Sequence, residues 1–158
     1  MDVVFFRSSL SVFSNWHLHA PFVLDDHKFV CVEQYMMWRK ARLFGDHESA
    51  ARIQECSDPA EIQRLGRQVA GFKKREWDLH KEAIVEAGVR AKFEQNEAAR
   101  FRLLATKGCL LAEASPWDKE WGVGLSEREA RQVGPAKWPG KNLLGQILVR
   151  VREHLASQ

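Results

Sequence analysis

Leu144, Leu148, Val151 and Leu155 recur at i, i+4, i+7 and i+11, which draws one apolar stripe along an amphipathic helix at the end of the chain. Asn142 precedes that stripe and is placed to cap it. Upstream, the residues from Val32 to Phe44 have helix-forming composition and stop at Gly45, a good residue just past a helix end. A better-marked start follows: Asp58 as cap, Pro59 in the first helical position and Glu61 three residues after the cap. That helix is expected to run through Leu65 to about Ala70 and end at Gly71. A long charged helix is expected from Lys73 to about Phe93, with Trp77, Ile84 and Val85 facing inward. Another is expected from Glu97 to Ala105, stopped near Gly108.

Strand patterns are shorter. Asp2–Arg7 is rich in Val and Phe. Phe22–Val30 places two apolar runs around Asp25-Asp26 and reads as a hairpin. Cys109–Ala114 reads as a strand, with Trp121–Leu125 as its expected hairpin partner. The sum is a helix-rich α+β fold without βαβ periodicity, carrying a small antiparallel sheet. No internal repeat, linker or low-complexity tract interrupts it, so residues 1–158 are expected to form one domain.

Composition narrows this little. The 158 residues are 45% hydrophobic and 28% charged, as in ordinary globular proteins. No stretch approaches the ~20 apolar residues of a membrane span. The N-terminus carries an acid, Asp2, and too short an apolar run for a signal peptide. Cys31, Cys56 and Cys109 are odd in number and match no zinc spacing, so a reduced, cytoplasmic protein is expected. The histidines show no metal-ligand spacing, and phosphate-loop and dinucleotide fingerprints are absent, so neither metal nor cofactor is expected. A net charge of +3 tolerates a phosphate-bearing ligand without declaring a nucleic-acid binder. The basic residues of Phe72–Trp77 and those around Arg90 and Lys92 read as a solvated helix face in preference to a phosphate patch.

Candidate chemistry gathers in three places. Glu113–Leu125 combines Asp118, two tryptophans and two glycines in a stretch too broken for a helix, and it suggests a shaped loop for a ligand that is part ring and part polar sugar or phosphate. Trp117 and Trp121 both supply flat apolar faces there. Glu33 and Lys40 stand seven residues apart on one predicted helix, nearly on one face and ~10 Å apart along its axis. A ligand could span that gap; two solvated surface charges are the alternative. In Phe13-Ser14-Asn15-Trp16, Asn15 offers donors and an acceptor and Trp16 a stacking face, or else a turn beside a core tryptophan.

Taken in order, Phe13-Ser-Asn-Trp16, Pro21-Phe22, Val32-Glu-Gln-Tyr-Met-Met-Trp-Arg-Lys-Ala41, Ser57-Asp-Pro59, Leu65-Gly66, Arg90-Ala-Lys-Phe93, Leu103-Leu-Ala-Thr106, Ala114–Leu125 and Asn142-Leu-Leu-Gly145 resemble the NADAR, or YbiA-like, family. The resemblance runs from about Phe5 to Leu155, and the shared order of the motifs makes it specific. It implies a small cytoplasmic α+β domain, several helices around a small sheet, that hydrolyses a ribose-to-amine bond. The implied substrates are ADP-ribose attached to guanine, with ADP-ribosylated DNA among the partners, or phosphoribosylamino-pyrimidine intermediates of riboflavin synthesis. It implies catalytic roles for Glu33, Lys40 and Asp118. It implies substrate binding by Ser14, Asn15, Trp16, Trp38, Trp121, Gly122, Asn142 and Gly145. Trp16 stands where many members carry Phe, which preserves a stacking wall. Val123 stands where some members have an acid, so a role for that acid does not carry over.

On that reading Glu33 is the base or electrostatic stabiliser, Asp118 positions the ribose hydroxyls or water, Trp121 stacks on the sugar or base while Trp117 packs, and Asn15 and Asn142 bind polar edges. Lys40 captures C1 of a ring-opened sugar as a Schiff base, holds a phosphate, or pairs with Glu33. A non-catalytic NAD or ADP-ribose sensor is the alternative.

Overall fold

The stripe of Leu144, Leu148, Val151 and Leu155 is the inner face of the last helix in the computed structural model, which describes residues 2–158. The elements in chain order are β1 (Val3–Phe6), β2 (Phe22–Leu24), β3 (His27–Phe29), α1 (Val32–Leu43), α2 (His47–Glu55), α3 (Pro59–Arg67), α4 (Lys74–Gln95), α5 (Glu97–Leu104), β4 (Leu110–Glu113), α6 (Glu127–Val133) and α7 (Leu143–Ala156), with a 3-10 turn at Pro135–Lys137. This is the expected helix-rich α+β class. The described chain forms two compact units, residues 2–14 with 98–158, and residues 15–97.

In the first unit β1 pairs with β4, Val3 opposite Leu110 and Phe6 opposite Glu113. The pairing is parallel, and it corrects the expectation that Trp121–Leu125 is the partner of β4. Val123 N–H does donate to the Glu113 carbonyl at 2.9 Å. Gly124 turns the chain with φ of +76°, so no strand can continue. Helix α7 packs on β4 with Leu144, Ile147, Leu148 and Val151 wholly buried. The approach is close enough that a Cβ on Gly145 would sit 2.0 Å from the Leu111 carbonyl oxygen. Arg152, 4% exposed, reaches back from α7 and donates from Nη1 to the carbonyls of Thr106 and Cys109, each at 2.8 Å. That closes the turn between α5 and β4.

The second unit starts from the expected hairpin. Asp25 and Asp26 take φ of 51° and 63°, the left-handed pair of a type I′ turn, and β2 and β3 pair antiparallel. Phe22 and Phe29 beneath it pack against Tyr35 of α1. Gln34, 1% exposed, donates to the carbonyls of Ile53 and Cys56 and accepts from Val30 N–H, which ties the end of α2 to the start of α1. Gly66 in α3 admits Met37 so closely that a Cβ would meet its sulfur at 2.0 Å. Asp58 caps α3 through Ala60 N–H at 3.2 Å with Pro59 in the first turn, as expected. Glu61 does not close a capping box; it pairs with Arg64. Helix α3 ends at Arg67 and α4 begins at Lys74. Between them, Asp46 at the start of α2 accepts from Ser49 N–H at 3.0 Å and from Ala70 N–H at 2.8 Å, so one carboxylate both caps a helix and pins the turn before α4.

Candidate active site

In the second unit, Glu33 sits in the first turn of α1 and is 4% exposed, which removes the reading of a solvated surface charge. Its backbone N–H donates to the Asn15 carbonyl at 3.0 Å, so Asn15 is tied to the start of α1. The helix dipole favours an ionised carboxylate there. The Asn15 side chain is 8% exposed, and its Oδ1 is buried without a hydrogen-bond partner. Such an acceptor costs about 1–3 kcal/mol unless something donates to it. Trp16 is half-buried.

Lys40 lies two turns along α1, half-buried. Its Nζ stands 4.6 Å from the centre of the Phe72 ring and 5.7 Å from that of Trp77. Burial pulls its pKa below the ordinary lysine value, Arg67 adds to that, and the carboxylate of Glu33 opposes it. Glu33 and Lys40 therefore feel one another along the same helix. Trp38 is 4% exposed, its ring set against His27 and Phe29 with the Arg42 guanidinium 4.8 Å from its centre. That enclosure makes it a support behind the α1 surface.

Lys92 corrects an expectation. It was grouped with solvated basic residues, yet it is 1% exposed on α4, and burial drops its pKa to about 7. Cys31, the residue preceding α1, senses both Lys92 and Glu33, and burial is the main cause that raises its thiol pKa to about 11. A buried amine and a buried carboxylate thus lie within electrostatic reach of one thiol. Period alone hides this, because a lysine beside Arg90 and Glu94 on a charged helix reads as surface. Of the other residues in that grouping, Lys73, Lys74 and Arg75 are exposed as expected, and Arg90 is half-buried.

The first unit carries the other motifs. Asp118 Oδ1 accepts from Glu120 and Trp121 N–H, both at 2.9 Å, and so builds its own turn. Lys119, Glu120, Trp121 and Gly122 carbonyls accept from the N–H groups of Lys141, Leu143, Leu144 and Asn142, which zips the loop to the start of α7. Trp121 is half-buried. Gly122 has a packing reason to lack a side chain: a Cβ would lie 2.9 Å from the Glu113 carbonyl. Asn142 does not cap α7. It takes φ of 52°, its Oδ1 accepts from Glu113 N–H at 3.1 Å, and its Nδ2 donates to the Leu111 carbonyl at 2.9 Å. Its side chain holds β4 instead. Trp117 is 90% exposed, which overturns its expected packing role. Val123 is fully buried against Ala112 and Ala130, so no polar function falls to that position. Ser14 is 7% exposed at the end of the unit's N-terminal segment.

Among the described residues no group of three or more His, Cys, Asp and Glu side chains could hold a metal ion, and no helix is long and apolar enough to cross a membrane.

A helix-rich α+β fold thus carries a buried glutamate and a half-buried lysine on one helix. The NADAR domain model matches residues 4–156, and the chain belongs to that family. It is 44% identical over 151 residues to an N-glycosidase of Acanthamoeba polyphaga mimivirus, covering 93% of this chain and 89% of the relative. It is 33% identical over 146 residues to N-glycosidase YbiA of Escherichia coli, covering 92% and 80%. The NMR structure of E. coli YbiA superposes with a TM-score of 0.81 at 30% identity, covering 99% of this chain and 86% of that one.

Proposed function

We propose that this NADAR-family hydrolase is an N-glycosidase that cleaves the bond between ribose C1 and an amine nitrogen in a phosphate-bearing N-riboside. The observation that carries the reading is the buried carboxylate of Glu33 with the half-buried amine of Lys40 on the same helix. Cleavage builds positive charge on C1 and the ring oxygen, and a carboxylate shielded from water stabilises it or activates the attacking water. The departing amine takes a proton from a nearby acid. Lys40 has a second route open to it. Ring opening turns the N-riboside into an imine, the neutral amine of Lys40 displaces the leaving amine at C1, and water then hydrolyses the lysine imine to free the sugar.

Asn15 Oδ1 accepts from a sugar hydroxyl or the leaving amine, which would satisfy the one buried acceptor the motif leaves over. Asp118 and Trp121 are assigned to the ribose and the ring, and Trp16 to stacking. Ser14, Gly122, Asn142 and Gly145 are assigned to substrate binding, and Trp38 supports α1 from behind. ADP-ribosylated guanine and a phosphoribosylamino-pyrimidine are the two substrates to assay side by side. Product from either, lost in Glu33→Gln, upholds the reading. Tight binding of ADP-ribose with no product from any N-riboside would replace it with a sensor. Borohydride trapping during turnover decides the covalent route, since no adduct on Lys40 removes it.

A further inference from the structure

The turn between α3 and α4 is held more firmly than a connection needs. Asp46 accepts Ala70 N–H at 2.8 Å, and Gly71 follows with φ of +78° and its Cα tight against the Phe44 carbonyl, where a Cβ would come to 3.3 Å. The turn thereby delivers Phe72 onto Lys40. The Phe72 ring meets Phe44 edge-on at 5.5 Å and presents its face to the Lys40 amine at 4.6 Å, with Trp77 of α4 on another side at 5.7 Å. Phe72 is itself 43% exposed, so its burial alone does not explain why the chain places it there.

We propose that Phe72 is a positioning residue for Lys40, roofing the amine against Trp77 so that it is kept from bulk water and held at a fixed place along the α1 face that carries Glu33. The proposal rests on the reading of Lys40 as a working amine of the site. Two opposed effects meet at this nitrogen. The aromatic faces favour the ammonium, and exclusion of water disfavours it. The charged groups that act on it are Glu33 on α1, which favours the ammonium, and Arg67 on α3, which opposes it. Phe72 supplies both the cover and one of the two faces. Its removal therefore changes the accessibility of the amine and its titration together.

The test is competitive acetylation of Lys40 by acetic anhydride across pH, read by peptide mass spectrometry, on the full chain with melting temperature as the folding control. Phe72→Ala is expected to raise the limiting labelling rate several-fold and to move the midpoint up toward that of an ordinary lysine, near the 10.5 from which it is lowered. Phe72→Leu, a cover without a π face, is expected to keep the limiting rate and lower the midpoint. In turnover, Phe72→Ala is expected to lower kcat about tenfold or more with KM little changed. A folded Phe72→Ala protein that labels as wild type does overturns the proposal. Altered labelling with normal turnover upholds the hold of Phe72 on the amine and removes Lys40 from the chemistry.

Discussion

Glu33 and Asn15 are both buried polar residues, and each suggests its own measurement. A carboxylate that is 4% exposed at a helix start is favoured there by the helix dipole. Glu33→Gln keeps the shape and removes the charge, so turnover is expected to fall about 10²–10⁴-fold while the melting temperature moves little. Near-normal turnover in a folded variant would take Glu33 out of the chemistry. Asn15 invites the opposite signature. Its backbone carbonyl, which receives Glu33 N–H, survives any substitution, but its Oδ1 is a buried acceptor without a donor. Asn15→Leu is expected to melt at or above the wild-type temperature and to lose about tenfold or more in kcat/KM. A variant that loses stability and keeps kcat/KM would make Asn15 a structural residue.

At the scale of elements, one carboxylate organises two. Asp46 caps α2 and pins the turn that carries Phe72, and its pKa is held below the ordinary 3.8 by Ala70 N–H first and by the Ser49 hydroxyl and N–H after it. A carboxyl depressed in the folded state adds stability above its unfolded pKa and loses it as pH falls through the folded value. Asp46→Ala is expected to cost about 1–2 kcal/mol near neutral pH, a deficit that closes on acidification below about pH 4. Urea melts of both proteins at several pH values measure it, and a deficit that stays constant down to pH 2 would assign the loss to something other than the carboxylate. The helices with strong punctuation were legible beforehand: α3 from Asp58-Pro59, α1 from its stop at Gly45, α7 from its apolar stripe. Helix α2 was not, because only Ala50 and Ile53 of its nine residues are buried and so few positions show no period. Helix α6 carried a readable signal in Ser126 and Glu129, which form a full capping box, but with only Ala130 buried it lacks a stripe. The pairing of β1 with β4 joins residues over a hundred positions apart, which no local pattern encodes. Glu33 and Lys40 were legible as neighbours on a helix. Their burial was not, since it comes from what packs on α1. Asn142 was placed at the right position and given the wrong task, because its left-handed backbone turns the side chain toward β4.

For the molecule as a whole, surface charge gives the measurement that separates the two substrate classes. The net +3 overstates the field a polyanion would meet. Lys92 is inside, where burial lowers its pKa to about 7, and several basic groups face carboxylates that screen them locally without altering the net charge: Asp78 binds Lys74 at 2.6 Å and Lys81 at 2.8 Å, Glu127 binds Arg131 at 3.1 Å, and Glu120 binds Lys141 at 3.2 Å. A protein that grips DNA through about six to ten phosphates loses roughly 10³–10⁵ in affinity between 50 and 200 mM salt, whereas a substrate carrying one or two phosphates offers few counterions to release. Exposed Lys73, Lys74 and Arg75 form the one dense basic run, and Lys74 is already paired. The kcat/KM of this protein on its N-riboside is therefore expected to fall less than about tenfold over that salt range, with a slope set by one or two contacts. Initial rates at four or five salt concentrations, with each substrate offered free and within an oligonucleotide, give the slope directly. A hundredfold fall confined to the oligonucleotide form, with faster turnover of that form at low salt, would make nucleic acid the substrate and the exposed Trp117 the first residue to mutate for base stacking.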